Sequence, residues 1–159
     1  MVGYTCFMEK ENRPKVIIIG AGFGGLFAAR TLADQPVEVL LIDRANYHTF
    51  TPLLYQVATS ALDPSEIAHP IRGIFAGRDN IHCLMGEVIE VDPDRQEVEV
   101  EIDGQVHREH FDYAIIATGS APHYYGQDQL QEHTFELRTL DDAVLLRNPV
   151  EIGKQPVGL

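Results

Sequence analysis

Lys15-Val16-Ile17-Ile18-Ile19-Gly20-Ala21-Gly22-Phe23-Gly24-Gly25 is the stretch on which the fold turns. Four β-branched residues, 16–19, run into glycines at 20, 22 and 25, and an apolar segment, 26–32, follows without a break. The order is strand, tight turn, helix, and the glycine spacing is the G-x-G-x-x-G of a dinucleotide-binding loop. Each glycine has its own expected task. Gly20 turns the chain sharply out of the strand, and Gly22 leaves the backbone bare where a diphosphate approaches. Gly25 lets the helix lie close against the sheet. The first-turn amides of the helix and its positive dipole end would face the phosphates.

The context on either side supports that reading. Pro36 breaks the helical pattern, and 37–42 reads as a second buried strand ending in Asp43, 18 residues beyond Gly25. An acid at that strand tip is placed to accept hydrogen bonds from ribose hydroxyls. Residues 44–64 are long and aromatic-rich for a mere connector. Ser65 is expected to cap a short helix running to Gly77, with Pro70 making its interior irregular. Residues 81–85 read as a third parallel strand. Segments 87–91, 97–102 and 106–111 are separated by the turn at 92–95 and the hairpin signal Asp103-Gly104, giving a three-stranded antiparallel meander over the sheet. Residues 113–117 form a further buried strand whose tip, Thr118-Gly119, has no large side chain to obstruct a ligand. A helix over 140–146 opens behind Thr139 with acids at 141 and 142.

Composition narrows the class. The chain has 159 residues, 45% of them apolar, which suits one ordinary α/β domain or part of a larger one. With 24 acids against 12 lysines and arginines the formal net charge is −12, which disfavours a nucleic-acid partner by repulsion of phosphate. Glu97, Glu99 and Glu101 alternate with Val98, Val100 and Ile102, the mark of a solvated strand face. Cys6 and Cys83 form no C-x-x-C pair, so neither a metal site nor a disulfide framework is expected, and Cys83 reads as a small buried hydrophobe. The first 13 residues do not have the form of a signal peptide, and no apolar stretch approaches the ~20 residues that cross a bilayer. A cytoplasmic protein, soluble or peripherally attached, is the expectation.

Together the glycine loop, the acid closing the second strand and the strand ending in Ala117-Thr118-Gly119 resemble the FAD-binding half of pyridine nucleotide-disulfide reductase-like flavoproteins. The stretch 43–59, Asp-Arg-Ala-Asn-Tyr-His-Thr-Phe-Thr-Pro-Leu-Leu-Tyr-Gln-Val-Ala-Thr, is similar to that of type II NADH dehydrogenases, the single-subunit NADH:quinone oxidoreductases. Disulfide reductases of this fold carry a cysteine pair near here, whereas this chain has Thr, Pro, Leu and Tyr, so dithiol chemistry is excluded. The resemblance spans about residues 15–148. It implies a Rossmann-like FAD/NAD(P)-binding α/β fold, FAD as cofactor, NADH as hydride donor and a membrane quinone as acceptor. It also implies peripheral attachment to the inner membrane face for complete members. By the same resemblance, Gly20, Ala21, Gly22, Phe23, Gly24 and Gly25 would line the FAD diphosphate. Asp43 would take the adenosine ribose with Arg44 beside it, Val88 would meet the adenine through its backbone, and Ala117 with Thr118 would border the cofactor midway. Thr51 and Pro52 would lie near the flavin ring. His48 reads as a packed histidine and no catalytic residue is assigned.

The departures from that family are also informative. Its enzymes run to roughly two or three times this length, consistent with two ordinary domains. The second glycine loop and the later flavin- and quinone-contacting segments expected by resemblance have no counterpart in the 159 residues. Residues 149–159 hold two prolines and two glycines and are expected to be a disordered tail foreign to the fold, as in a truncated product inactive alone. Domain boundaries at 1–14, 15–148 and 149–159 follow. Alternatives are a non-catalytic Rossmann-like nucleotide binder, an NAD-dependent dehydrogenase, or another NAD(P)H-dependent FAD oxidoreductase such as a ferredoxin or rubredoxin reductase.

Overall fold

The computed structural model of the protein describes residues 13–127 and 129–148. Cys6, most of the tail expected over 1–14, and the segment 149–159 lie outside the described residues. In chain order the elements are β1 (Lys15–Ile19), α1 (Phe23–Leu32), β2 (Glu38–Asp43), β3 (Tyr47–Thr49), a 3₁₀ turn (Thr51–Leu53) and α2 (Leu54–Ala58). A second 3₁₀ turn (Pro64–Glu66), β4 (Ala68–Pro70), α3 (Ile71–Ile74), β5 (Ile81–Met85) and β6 (Glu87–Asp92) follow. The chain continues with β7 (Glu97–Ile102), β8 (Gln105–His110), β9 (Tyr113–Ile116), α4 (Gln129–His133) and α5 (Leu140–Arg147). It divides into two compact units, one holding 13–45 and 77–118, the other 46–76 and the described residues from 119 onward.

The first unit is built on a four-stranded parallel sheet in the order β5-β2-β1-β9, with Ile17 opposite both Leu40 and Ala114. Parallel strands covered on both faces read as continuous apolar runs, and β1 buries Val16, Ile17, Ile18 and Ile19 together. Because side chains alternate, Ile17, Ile19 and Ile42 share one face and pack there against Val98, Val100 and Phe111. That is how the separate antiparallel sheet β6-β7-β8 lies over the parallel one. Val98 and Val100 are fully buried, each such side chain contributing about 1.5–3 kcal/mol. Their neighbours Glu97 and Glu99 stay half-buried and Glu101 is exposed, as the alternation requires. Residue Asn80, itself buried, organises the α1–β2 connection. Its side-chain nitrogen donates to the carbonyls of Leu32 (2.9 Å) and Val37 (3.1 Å), and its side-chain oxygen accepts from Asp34 N (3.3 Å).

In the second unit β3 pairs antiparallel with β4, setting buried His48 opposite His69. α2 packs on α5 through Leu54, Val57 and Ala143, with Ile67 in the same cluster. α5 opens on a capping box in which Thr139 Oγ1 accepts from Asp142 N (3.1 Å) and Asp142 Oδ2 accepts from Thr139 N (2.8 Å).

The sequence expectations need correction at several places. No helix spans 65–77. Asp63, not Ser65, caps the short turn there, its carboxylate accepting from Ser65 N at 2.9 Å. Pro70 disfavours helical backbone at His69, which therefore joins β4, and helix resumes only for 71–74. The stretch 44–64, for which no element was expected, holds β3, a 3₁₀ turn and α2. Cys83 is half-buried rather than buried, because β5 is an edge strand of its sheet. β6 and α5 each run one residue further than expected, and β8 is shifted back to 105–110; β9 ends at Ile116 and, as the other edge strand, is mostly exposed rather than buried, Tyr113 and Ile116 among its exposed side chains.

Candidate functional site

The carboxyl ends of the parallel strands are stitched together by backbone. Gly20 N donates to Ile42 O (2.7 Å), Ala117 N to Ile19 O (2.8 Å) and Gly86 N to Asp43 O (2.9 Å). From β1 the sheet grows to β2 on one side and to β9 on the other, so the strand order reverses beside Gly20, the position where open α/β sheets hold ligands. Gly20 itself has φ +98°, and a Cβ there would stand 2.5 Å from Ala117 O. A Cβ on Gly25 would overlap the Gly20 carbonyl, so the loop closes only on glycine at that position. Gly22 differs from both. Its φ of −67° suits any residue, and among the described residues nothing beyond its chain neighbours and its own helix backbone lies within 4 Å of where its Cβ would be. Gly22 is also the N-cap of α1, with no side-chain cap and no acid in the first turn. The first intrahelical bond is Leu26 N to Gly22 O (2.9 Å), so the amides of 23–25 precede it. An uncapped helix start behind a bare backbone residue suits an anion.

Beside this loop lies a cavity of about 290 Å³ lined by Ile19, Gly20, Ile42, Asp43, Arg44, Gly86, Glu87, Val88 and Thr118. Ligand pockets run from about 300 Å³ upward, so this one takes part of a dinucleotide, not all of it. The Asp43 carboxylate is engaged on both oxygens: Oδ2 accepts from Ala21 N at 2.6 Å and Oδ1 from Ala45 N at 2.8 Å. Arg44 and Glu87 form an ion pair at 3.5 Å, with side chains 78% and 58% exposed, so solvent weakens it.

Of the residues expected from sequence to hold a cofactor, Gly20, Asp43, Arg44, Val88 and Thr118 meet around one cavity. Ala21, Gly22, Phe23, Gly24 and Gly25 form the loop and helix start that follow Gly20. Ala117 backs the loop, its carbonyl nearest to Gly20. Thr51 and Pro52 open the 3₁₀ turn of the second unit. Sequence reasoning missed Ile19, Ile42, Gly86 and Glu87 as lining. Gly86 had a signal: a Cβ there would come within 2.7 Å of Val100 Cγ1, so a glycine between two strands marked a close approach. His48 lies in β3, buried. Among the described residues no cluster of three or more His, Cys, Asp or Glu could hold a metal ion, and no helix is long and apolar enough to cross a membrane.

The chain is similar to known proteins over most of its length. Residues 14–151 match the family described as pyridine nucleotide-disulphide oxidoreductase. The chain is 39% identical over 142 residues to the type II NADH:quinone oxidoreductase Ndh of Mycobacterium tuberculosis, covering 89% of this chain and 31% of that protein. It is 38% identical over 139 residues to NdhA of the same organism, covering 87% of this chain and 30% of that one. NDH2 from Plasmodium falciparum, solved in complex with NADH, superposes with a TM-score of 0.77 at 26% identity, over 86% of this chain and 28% of that structure. The chain therefore spans about a third of the length of the curated relatives it matches. Since the family match runs through every element of both units, from β1 to α5, this chain belongs to the pyridine nucleotide-disulphide oxidoreductase family.

Proposed function

We propose that residues 15–148 are the FAD-binding portion of an NADH:quinone oxidoreductase. The observation that carries the reading is the cavity at the strand-order reversal, where Gly20, Asp43, Arg44, Val88 and Thr118 converge beside an uncapped helix start. The open space at Gly22, which neither backbone angle nor packing explains, fits a diphosphate laid against the loop. The similarity to two NADH:quinone oxidoreductases supports that chemistry among those the fold can host.

In this reading the amides of 22–25 and the helix dipole hold the diphosphate, and Asp43 and Arg44 meet the adenosine ribose. The backbone of Val88 borders the adenine, and Ala117 with Thr118 leaves room for the cofactor's middle. Bound FAD supplies the redox chemistry by which two electrons pass from NADH to a quinone. The residues described here bind and orient, and none is assigned to move a proton.

Calorimetry with ADP and with FAD tests the reading, together with the visible absorbance of the purified protein. Uptake of both, with flavin colour, is expected, and replacing Gly22 by Val should weaken both by more than about tenfold while the protein still folds. No uptake of either by folded protein would refute it. Preferential uptake of NADH without flavin would assign the loop to a nicotinamide instead.

A further inference from the structure

We propose that Asp43 is a positioning residue that holds the walls of the cavity together, in addition to any contact with a ribose. The inference rests on the nucleotide-site reading above. Four bonds meet at this one residue or its immediate neighbour. The side chain accepts from Ala21 N in the glycine loop (2.6 Å) and from Ala45 N beyond β2 (2.8 Å). Its backbone carbonyl accepts from Gly86 N at the β5–β6 junction (2.9 Å), and the carbonyl of Ile42 accepts from Gly20 N (2.7 Å). The three stretches so joined, at 20, at 42–44 and at 86–88, supply all of the cavity lining except Ile19 and Thr118.

The arrangement needs two acceptor oxygens at the reach of aspartate; asparagine can form the turn but has one acceptor oxygen. A bond from a side-chain oxygen to the amide two residues ahead is an Asx turn, which the longer glutamate side chain does not form. Bonds from amides to a carboxylate are charge-assisted, stronger than neutral ones and short, as both are here. Each carboxylate oxygen has two acceptor sites, so one bond apiece to the backbone leaves capacity for a hydroxyl from the cavity. The Ala21 amide is turned to Asp43, so the diphosphate is left to the amides that follow it. A ribose bound at Asp43 and a diphosphate bound at the loop are then coupled through one carboxylate.

The test separates that role from a simple ribose acceptor by using a ligand with no ribose hydroxyls. Calorimetry measures ADP and 2′,3′-dideoxy-ADP against wild type, Asp43→Asn and Asp43→Glu. A positioning residue predicts that both variants bind both ligands about tenfold more weakly, through loss of a charge-assisted bond at the loop or the turn. Loss of ADP affinity with dideoxy-ADP affinity unchanged in both variants would overturn the proposal. In parallel, hydrogen exchange at the Ala21 and Ala45 amides is followed without ligand. Asparagine keeps one acceptor oxygen, so faster exchange at one or both amides in Asp43→Asn supports the role, and unchanged exchange at both overturns it. Wild-type protein that binds neither ligand would sink the nucleotide reading alone, since the exchange experiment still decides what Asp43 holds.

Discussion

Three glycines of one loop illustrate how the same residue type answers to different forces. Gly20 is required by a positive φ and by the Ala117 carbonyl, and Gly25 by overlap with the Gly20 carbonyl. Gly22 has neither constraint inside the chain. Gly25→Ala is therefore expected to cost about 3 kcal/mol or more, since loop and helix must part, whereas Gly22→Ala should change stability by less than about 1 kcal/mol. Urea denaturation of the two variants checks this, and equal losses would refute the distinction. The spacing of these glycines was legible in the chain. The partners of Asp43 were not, because an amide in the loop and one beyond the strand reach its carboxylate only once β1 and β2 lie side by side.

Among the elements, β1, β2, β5 and β7 were legible because short, mostly apolar runs, or strict alternation in β7, specify a strand without knowing its partner. The region 44–77 was not. Its pieces are three to five residues long, and β3 forms only by pairing with β4 some twenty residues away, a contact that periodicity does not carry. Asn80 gave no signal either, yet it bonds backbone atoms of Asp34, Leu32 and Val37. Asn80→Ala should lower stability by about 1–2 kcal/mol by removing the partner of part-buried backbone groups at Asp34, Leu32 and Val37, measured as a fall in the urea midpoint at unchanged slope. The α5 cap makes a pH prediction. Burial pushes the Asp142 carboxyl up, but hydrogen bonds from Thr139 and Arg138 and the charge of Arg138 together bring it below the usual aspartate value of 3.8. A carboxylate lowered on folding stabilises the fold above its unfolded value and loses that contribution as pH falls through the folded one. Wild type should thus lose more thermal stability than Asp142→Asn on acidification from about pH 6 to about pH 2, followed by circular dichroism, and parallel losses would refute the cap's share. At neutral pH Thr139→Ala should cost about 1 kcal/mol.

At the level of the whole molecule, the chain carries a formal charge of −12 and its site is read as taking an anion. Long-range repulsion slows approach, and salt screens it as the Debye length shrinks from about 30 Å at 0.01 M to about 8 Å at 0.15 M. The association rate of ADP should therefore rise with ionic strength over that range in stopped-flow measurements, and a falling rate would mean that local positive potential governs encounter. Sequence alone determined the strand–loop–helix unit, the apolar strands and the meander, because local spacing and alternation encode which residues seek burial and where the backbone must turn. Only the tertiary structure decided that β9 joins β1 opposite β2, that Gly86 and Glu87 wall the cavity, and that Asp43 binds two backbone amides. Those contacts join residues far apart in the chain, and their geometry exists only after the sheets have packed.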